Sequence, residues 1–205
     1  MKQVSFTQMK DGTKEEYEFL SQHYKDHKKL TPHRLISELA SQEEETVEGY
    51  KVSRLGHALQ AATRAYNDGA DIDWLVAALL HDIGDGFAPE NHDQFAAAIL
   101  RPYVREEVAW TVHHHGLFQT VYYNHFFGRD QNARDKYKDN PYYQTCVEFC
   151  ERWDQNSFDP DYECKPLSFF EPMVHEVFSR PGHDPEIQQP GVVKGLPPRA
   201  ETSAS

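Results

Sequence analysis

The sequence offers little from which to build a membrane-spanning, secreted or nucleic-acid-binding protein. No apolar run approaches the roughly 20 residues that a membrane-spanning helix needs, and the opening MKQVSFTQMKDG lacks the apolar stretch of a secretory signal. A cytoplasmic location without membrane attachment is therefore expected. Cysteine is scarce: Cys146, Cys150 and Cys164 are an odd number in a chain with no export signal, which argues against a disulfide framework and for reduced thiols. Positive charge is also short, with 21 Lys and Arg against 33 Asp and Glu and a formal net charge of -12. No basic stretch supplies the positive face that phosphate backbones require, so a nucleic-acid partner is not expected.

What is present is a globular composition and an excess of one residue. The chain has 205 residues, 39% hydrophobic and 26% charged, enough for one domain with a substantial core and too few for two comfortable ones. Twelve residues are histidine, and five of these fall at positions 81, 92, 113, 114 and 115.

Helical periodicity dominates and strand alternation is scarce. Segment 12–27 places Tyr17, Leu20 and Tyr24 on one face, and Pro32 suits the first turn of the next helix. Val52, Leu55, Leu59 and Ala62 form an apolar stripe over 50–66, stopped by Asn67-Asp68-Gly69. Asp73 is placed to cap the run Trp74 to His81, and Asn91 with Gln94 has the form of a capping box for a helix over 91–100. Further helices are predicted over 103–115, ending at Gly116, over 141–154 and over 169–178. The expectation is an all-α bundle: an N-terminal helical extension (1–45), a main domain (46–180) with a long loop insertion (116–140), and a disordered, flexible C-terminal tail (181–205) rich in Pro, Gly and Ser.

The chemistry begins at His81-Asp82 in LVAALLHDIGD. An adjacent His and Asp at the end of an apolar helix are costly to bury unless something binds them, and a divalent metal removes that cost. A solvated helix terminus is the plainer explanation for such a pair alone. The pair is accompanied by His57 in RLGHALQAA on the preceding helix and by Asp154 in FCERWDQ late in the chain. A histidine, then His-Asp, then a distant Asp resembles the HD-domain superfamily, and the likeness runs over about residues 46–178.

Two further histidines extend the resemblance: His92 at the start of a helix, and one of the run His113-His114-His115. Successive helical residues point about 100° apart, so the three cannot serve one site. Val108, Val112 and His115 share a face, which favours His115, with His114 as the alternative. Val147, Cys150 and Asp154 likewise share a face, which turns Asp154 inward. Six ligands suit two ions, with Asp82 as the bridging carboxylate. Imidazole and carboxylate without thiolate fit Fe or Mn and leave Zn, Ni and Co open. Cys146 and Cys150 are assigned to core packing, since no second cysteine pair accompanies them.

Within the superfamily the arrangement resembles the mixed-valent diiron oxygenases of the myo-inositol oxygenase and hydroxyphosphonate-cleaving types. Arg54 to Gln60 is similar to the latter, and His92-Asp93 and His115 to Phe118 are similar to the former. The resemblance implies an Fe(II)/Fe(III) pair, O₂, and a small substrate that presents a hydroxyl to the metals: a hydroxyphosphonate, polyol or amino alcohol. Dinuclear HD phosphohydrolases use the same ligand types, with Mn or another divalent metal, to activate water. A metal-stabilised binding module is a third reading, which six converging ligands oppose.

The departures bear on the substrate. The resembling oxygenases carry a basic residue where this chain has Asp85, and the phosphonate-cleaving members carry Lys and Arg where it has Gln119 and Glu151. A dianion needs charge-assisted donors, so these replacements oppose a phosphonate unless Arg129, Arg134 or Arg152 compensates. Tyr50 stands in place of the glutamate of their gating motif, so with Asp82 it is the candidate catalytic pair. Asp85, Gln119 and Arg129 are the candidate substrate contacts. The aromatic residues Phe118, Tyr122, Tyr123, Phe126 and Phe127 in the insertion are expected to pack under a lid; beside Asp85 they also suit a cationic substrate. The oligomeric state is left open.

Overall fold

The computed structural model describes residues 3–44 and 49–199, and among them no strand occurs. The expected domain boundary at 45/46 and the last six residues of the tail lie outside the described residues. Among the described residues nine α-helices follow one another: α1 (Lys14–Lys28), α2 (Thr31–Ser41), α3 (Arg54–Asn67), α4 (Ile72–Leu80), α5 (His92–Leu100), α6 (Glu106–Gln119), α7 (Tyr143–Phe149), α8 (Leu167–Ser179) and α9 (Pro185–Gln188).

Helix α4 is the hub, because it is apolar all round and so must be covered on every side. Every residue from Asp73 to Leu80 is buried. Helices α3, α6 and α8 pack on it, α5 and α7 flank α6, and α2 closes the bundle against α8 and α3. Leu35, Ile36 and Leu39 of α2 are buried, so the second half of the expected N-terminal extension belongs to the core. Helix α1 buries nothing: its Tyr17, Leu20 and Tyr24 face lines a surface groove with Met9. The insertion is not a loop. Helix α6 continues through Gly116, and 3₁₀ turns follow at Thr120–Tyr122, Asn124–Phe127 and Ala133–Tyr137. A mid-helix glycine costs about 1 kcal/mol relative to alanine, which burying Phe118 two residues later offsets at about 1.5–3 kcal/mol.

Two local expectations are corrected. Asp71, not Asp73, caps α4, accepting from the Trp74 N–H at 3.3 Å. Asp73 is buried inside the first turn, accepting from the Arg105 backbone at 3.1 Å and guanidinium at 3.2 Å, and from Arg180 at 2.6 Å. The capping box at α5 does not form: Asn91 makes no side-chain cap, and the Gln94 N–H donates to Asp93 Oδ1 at 2.7 Å. Over its described part the tail contacts the helical bundle. The backbone N–H groups of Lys194 and Gly195 donate to the buried Glu107 carboxylate at 3.0 and 2.9 Å, and Arg152 donates to the Pro197 carbonyl at 2.7 Å. These carboxylate and guanidinium groups, on α6 and after α7, supply partners that tail composition does not reveal.

Candidate metal centre

Each of the six predicted ligands is delivered by a different local device. His57 sits one turn into α3, whose N-cap Ser53 accepts from the Gly56 N–H at 3.0 Å. His81 closes α4, and Asp82 follows in a chain of turns that reaches Phe87. His92 is the first residue of α5, and His115 lies on the buried face of α6. Asp154 ends a π-helical turn, Cys150–Asp154, that continues α7, with the Gln155 N–H donating to the Cys150 carbonyl at 3.0 Å. The wider turn changes the helical register at the ligand, as π-turns at functional sites often do.

The side chains converge around Asp82. Its Oδ2 lies 3.3 Å from His57 Nε2 and 3.5 Å from His81 Nε2, while its Oδ1 lies 3.0 Å from His115 Nε2 and 3.4 Å from His92 Nε2. Asp154 Oδ1 stands 3.4 Å from His57 Nε2 and 3.6 Å from His81 Nε2. One half of the cluster is thus His57, His81, Asp154 and one oxygen of Asp82; the other is His92, His115 and the second oxygen. Such an arrangement is the one a bridging carboxylate requires.

The opposite edges of the rings are tethered. His57 Nδ1 donates to the Ser157 carbonyl at 3.0 Å, His81 Nδ1 to Ala78 at 2.8 Å and His115 Nδ1 to Val112 at 2.6 Å. Because carbonyl oxygens only accept, each Nδ1 carries the proton, and each neutral ring presents a bare Nε2 lone pair inward. His57 Nε2 and His81 Nε2 are only 3.1 Å apart, and Asp154 Oδ2 is buried with no hydrogen-bond partner. Lone pairs and carboxylates facing one another without a donor need a cation between them, and the donor set fits a transition metal.

In the metal-free protein, protons take that place. Burial opposes the charged form of His57, but hydrogen bonds to Asp154 and Asp82 win and push its pKa up to about 10. Burial likewise opposes protonation of His115, and Asp82 raises it to about 9. Burial raises both carboxylates, yet the positive field of His81 outweighs it and holds Asp82 and Asp154 well below the usual range. Metal binding must therefore displace protons.

His92 is tethered differently. Its Nδ1 faces Asp85 Oδ1 at 3.2 Å, with the Pro89 carbonyl farther off at 3.4 Å, and the other Asp85 oxygen pairs with Arg54. Asp85 is therefore an outer partner of a ligand, with its charge answered by a guanidinium. Arg54, one turn before His57, was not singled out as a site residue. Its only sequence signal was the stretch Arg54 to Gln60, whose helical phase does not show what lies opposite.

A cavity of about 640 Å³ opens on the half of the cluster formed by His92 and His115. Tyr50, Asp82, Asp85, Gln119, Tyr122, Tyr123, Asp154 and Phe158 are among its lining residues, and none of the described lining residues is Lys or Arg. Tyr50 stacks on Phe158 at 5.3 Å between ring centroids, and Phe158 stacks on His57 at 4.5 Å, so two aromatic rings roof one ligand. The structure does not bring Arg129, Arg134 or Arg152 to this cavity. Arg129 lies 5.6 Å over the Phe127 ring, Arg134 6.0 Å over Phe118, and Arg152 pairs with Asp68 at 2.6 Å. His114 donates to the Trp110 carbonyl and stacks on that indole, lining a separate cavity with His113. Of the insertion's aromatics, Phe118 is buried and Phe126 and Phe127 face solvent.

Residues 51–144 match the family model of the HD domain. Asp154 lies beyond that span, and the fold returns it to the other five ligands. No curated protein matches the chain. Among the described residues no helix is long and apolar enough to cross a membrane.

Proposed function

We propose that the chain, whose residues 51–144 match the HD domain and whose buried His/Asp clusters could hold metal, is a metal-dependent enzyme and, more specifically, a diiron oxygenase acting on a small hydroxylated substrate that is not a phosphate or phosphonate. The observation that carries this reading is the cavity beside the metal ligands, which has carboxylates and aromatic rings but no Lys or Arg. Enzymes that bind phosphoryl groups surround the charge with Arg, Lys or extra metal. Arg54, which lines the smaller adjoining cavity with His57 and Asp82, is already engaged by Asp85.

The metal pair, when bound, would supply a Lewis-acidic position for the substrate hydroxyl and, from its Fe(II), one electron to O₂, the remaining electrons coming from oxidation of the substrate. The protein's own contributions follow from the geometry. Asp82 spans the two halves, and the tethered histidines keep their Nε2 atoms aimed inward, which reduces reorganisation on loading. Asp154 keeps one carboxylate oxygen free of protein donors. Tyr50 and Phe158 stack over the His57 side, where a smaller cavity of about 160 Å³ remains, while Gln119 offers the main cavity a neutral amide that can donate to or accept from a hydroxylated ligand. Asp85 acts on the ligand His92; its paired charge makes it a weak selector of substrate.

An oxygen electrode provides the test. Iron-loaded protein screened against polyols, amino alcohols and hydroxyphosphonates should consume O₂ with a non-phosphonate alcohol and stop under strict anaerobiosis. Oxygen-independent release of phosphate from nucleotides or phosphomonoesters would instead make it a phosphohydrolase.

A further inference from the structure

The cavity's five carboxylates are not equivalent. Asp82 and Asp154 face the imidazoles that converge on the metal positions, and Asp85 is answered by Arg54 and His92. Glu90 and Asp93 also line the cavity, and neither forms an ion pair among the described residues; Asp93 lies in the field of His113 and His114, whose protonation burial opposes. Asp93 is placed there by the start of α5. Its Oδ1 accepts from the Gln94 N–H, and its Oδ2 faces Gly116, where a Cβ would stand only 3.2 Å away. The glycine beside the ligand His115 thus leaves room for a carboxylate at the edge of the centre.

Around the same space stand four aromatic rings that the core does not cover. Tyr50 is 56% exposed, Tyr123 42%, and Tyr122 and Phe158 39% each. Burial pushes the Tyr122 and Tyr123 phenols up, so both rings are uncharged at neutral pH and present electron-rich faces. Carboxylates without an ion pair, exposed aromatic faces and a lining without Lys or Arg are the chemistry that recognises an ammonium group, although Arg134 and Arg129 act on Tyr122 and Tyr123 from outside the lining.

We infer that the substrate is an ammonium-bearing alcohol, its cationic end held in this cavity by Glu90, Asp93 and the surrounding rings while its hydroxyl reaches the metal positions. This rests on the oxygenase reading for the fate of the hydroxyl, but the selection of charge is a property of the cavity alone. A phosphonate would meet Glu90 and Asp93 as like charges. A neutral polyol would leave their carboxylates without a counter-charge.

The test is calorimetric binding to Mn(II)-loaded protein, with no turnover required. The probes are choline, ethanolamine, 3,3-dimethylbutan-1-ol (the uncharged analogue of choline), myo-inositol and 2-hydroxyethylphosphonate. At least one of the two cations should bind ten-fold or more tightly than the uncharged analogue and than either remaining probe. The combined Glu90→Gln and Asp93→Asn variant should lose that preference, with unchanged metal content and unchanged affinity for 3,3-dimethylbutan-1-ol. Equal or weaker binding of both cations, tighter binding of the phosphonate or inositol, or a preference that survives the double variant would overturn the inference. Because no oxygen is consumed in this assay, those results leave the oxygenase reading standing. Phosphate release without O₂ would defeat that reading whatever the binding preference.

Discussion

Replacing Asp85 should weaken one half of the metal site and spare the other. Three of the four histidines are tethered by backbone carbonyls that no side-chain substitution removes. His92 depends on Asp85 at 3.2 Å, with only the 3.4 Å contact to Pro89 as a second tether. Loss of an outer partner of a metal-bound histidine typically costs 10–100-fold in metal affinity, about 1.4–2.7 kcal/mol. Asp85→Asn keeps an acceptor oxygen but loses the charge, the stronger hydrogen bond and the Arg54 pair, so it should fall near 10-fold. Asp85→Ala removes the acceptor and should approach 100-fold. Metal titration followed by desalting and elemental analysis reads this directly: near the wild-type dissociation constant, stoichiometry should drop from two ions per chain towards one. Asp85→Asn should also change the affinities for ammonium and uncharged alcohols by similar factors. Two ions retained at wild-type affinity in both variants would refute the tether and return Asp85 to the role of a substrate contact.

Three other outcomes follow from the geometry. Asp82→Ala, which removes the oxygens facing all four histidines, should retain almost no metal with its helical circular dichroism intact; two ions per chain would contradict the bridge. Asp73→Ala leaves Arg105 and Arg180 without the buried carboxylate they share and should cost about 3 kcal/mol in urea unfolding; a loss below about 1 kcal/mol would show that Asp71 and water suffice. In metal-free protein His57 and His115 have folded pKa values of about 10 and about 9, above the ordinary 6.5. Their stabilisation is complete below about pH 6.5 and fades as pH rises through 9 to 10, so the metal-free Tm should fall over that range; a flat profile would mean that those rings are already neutral.

The convergence of the six candidate ligands was legible because each has a residue type with no comfortable alternative at its place, as with His81 and Asp82 at the end of the most apolar helix. Helical phase also separated His115 from its two neighbours, which the fold sends to another cavity. What escaped depends on contacts across elements. The Asp85–Arg54 pair joins the turns after α4 to the first turn of α3, and no local pattern in either segment announces it. The π-turn before Asp154 has no residue signature. The tail's contacts are invisible locally, because the Glu107 carboxylate that accepts from it is supplied from nearly 90 residues away. Asp73 has the local pattern of a cap, and its actual partners, Arg105 and Arg180, lie 32 and 107 residues away in sequence.

The most direct test of the proposed chemistry is metal analysis combined with electron paramagnetic resonance on protein purified anaerobically and partly reduced. The account predicts two irons per chain and the signal of a coupled Fe(II)/Fe(III) pair, perturbed when the alcohol substrate is added. Native protein carrying Mn, Co or Zn in place of iron, with phosphatase turnover and no coupled iron signal, would contradict it.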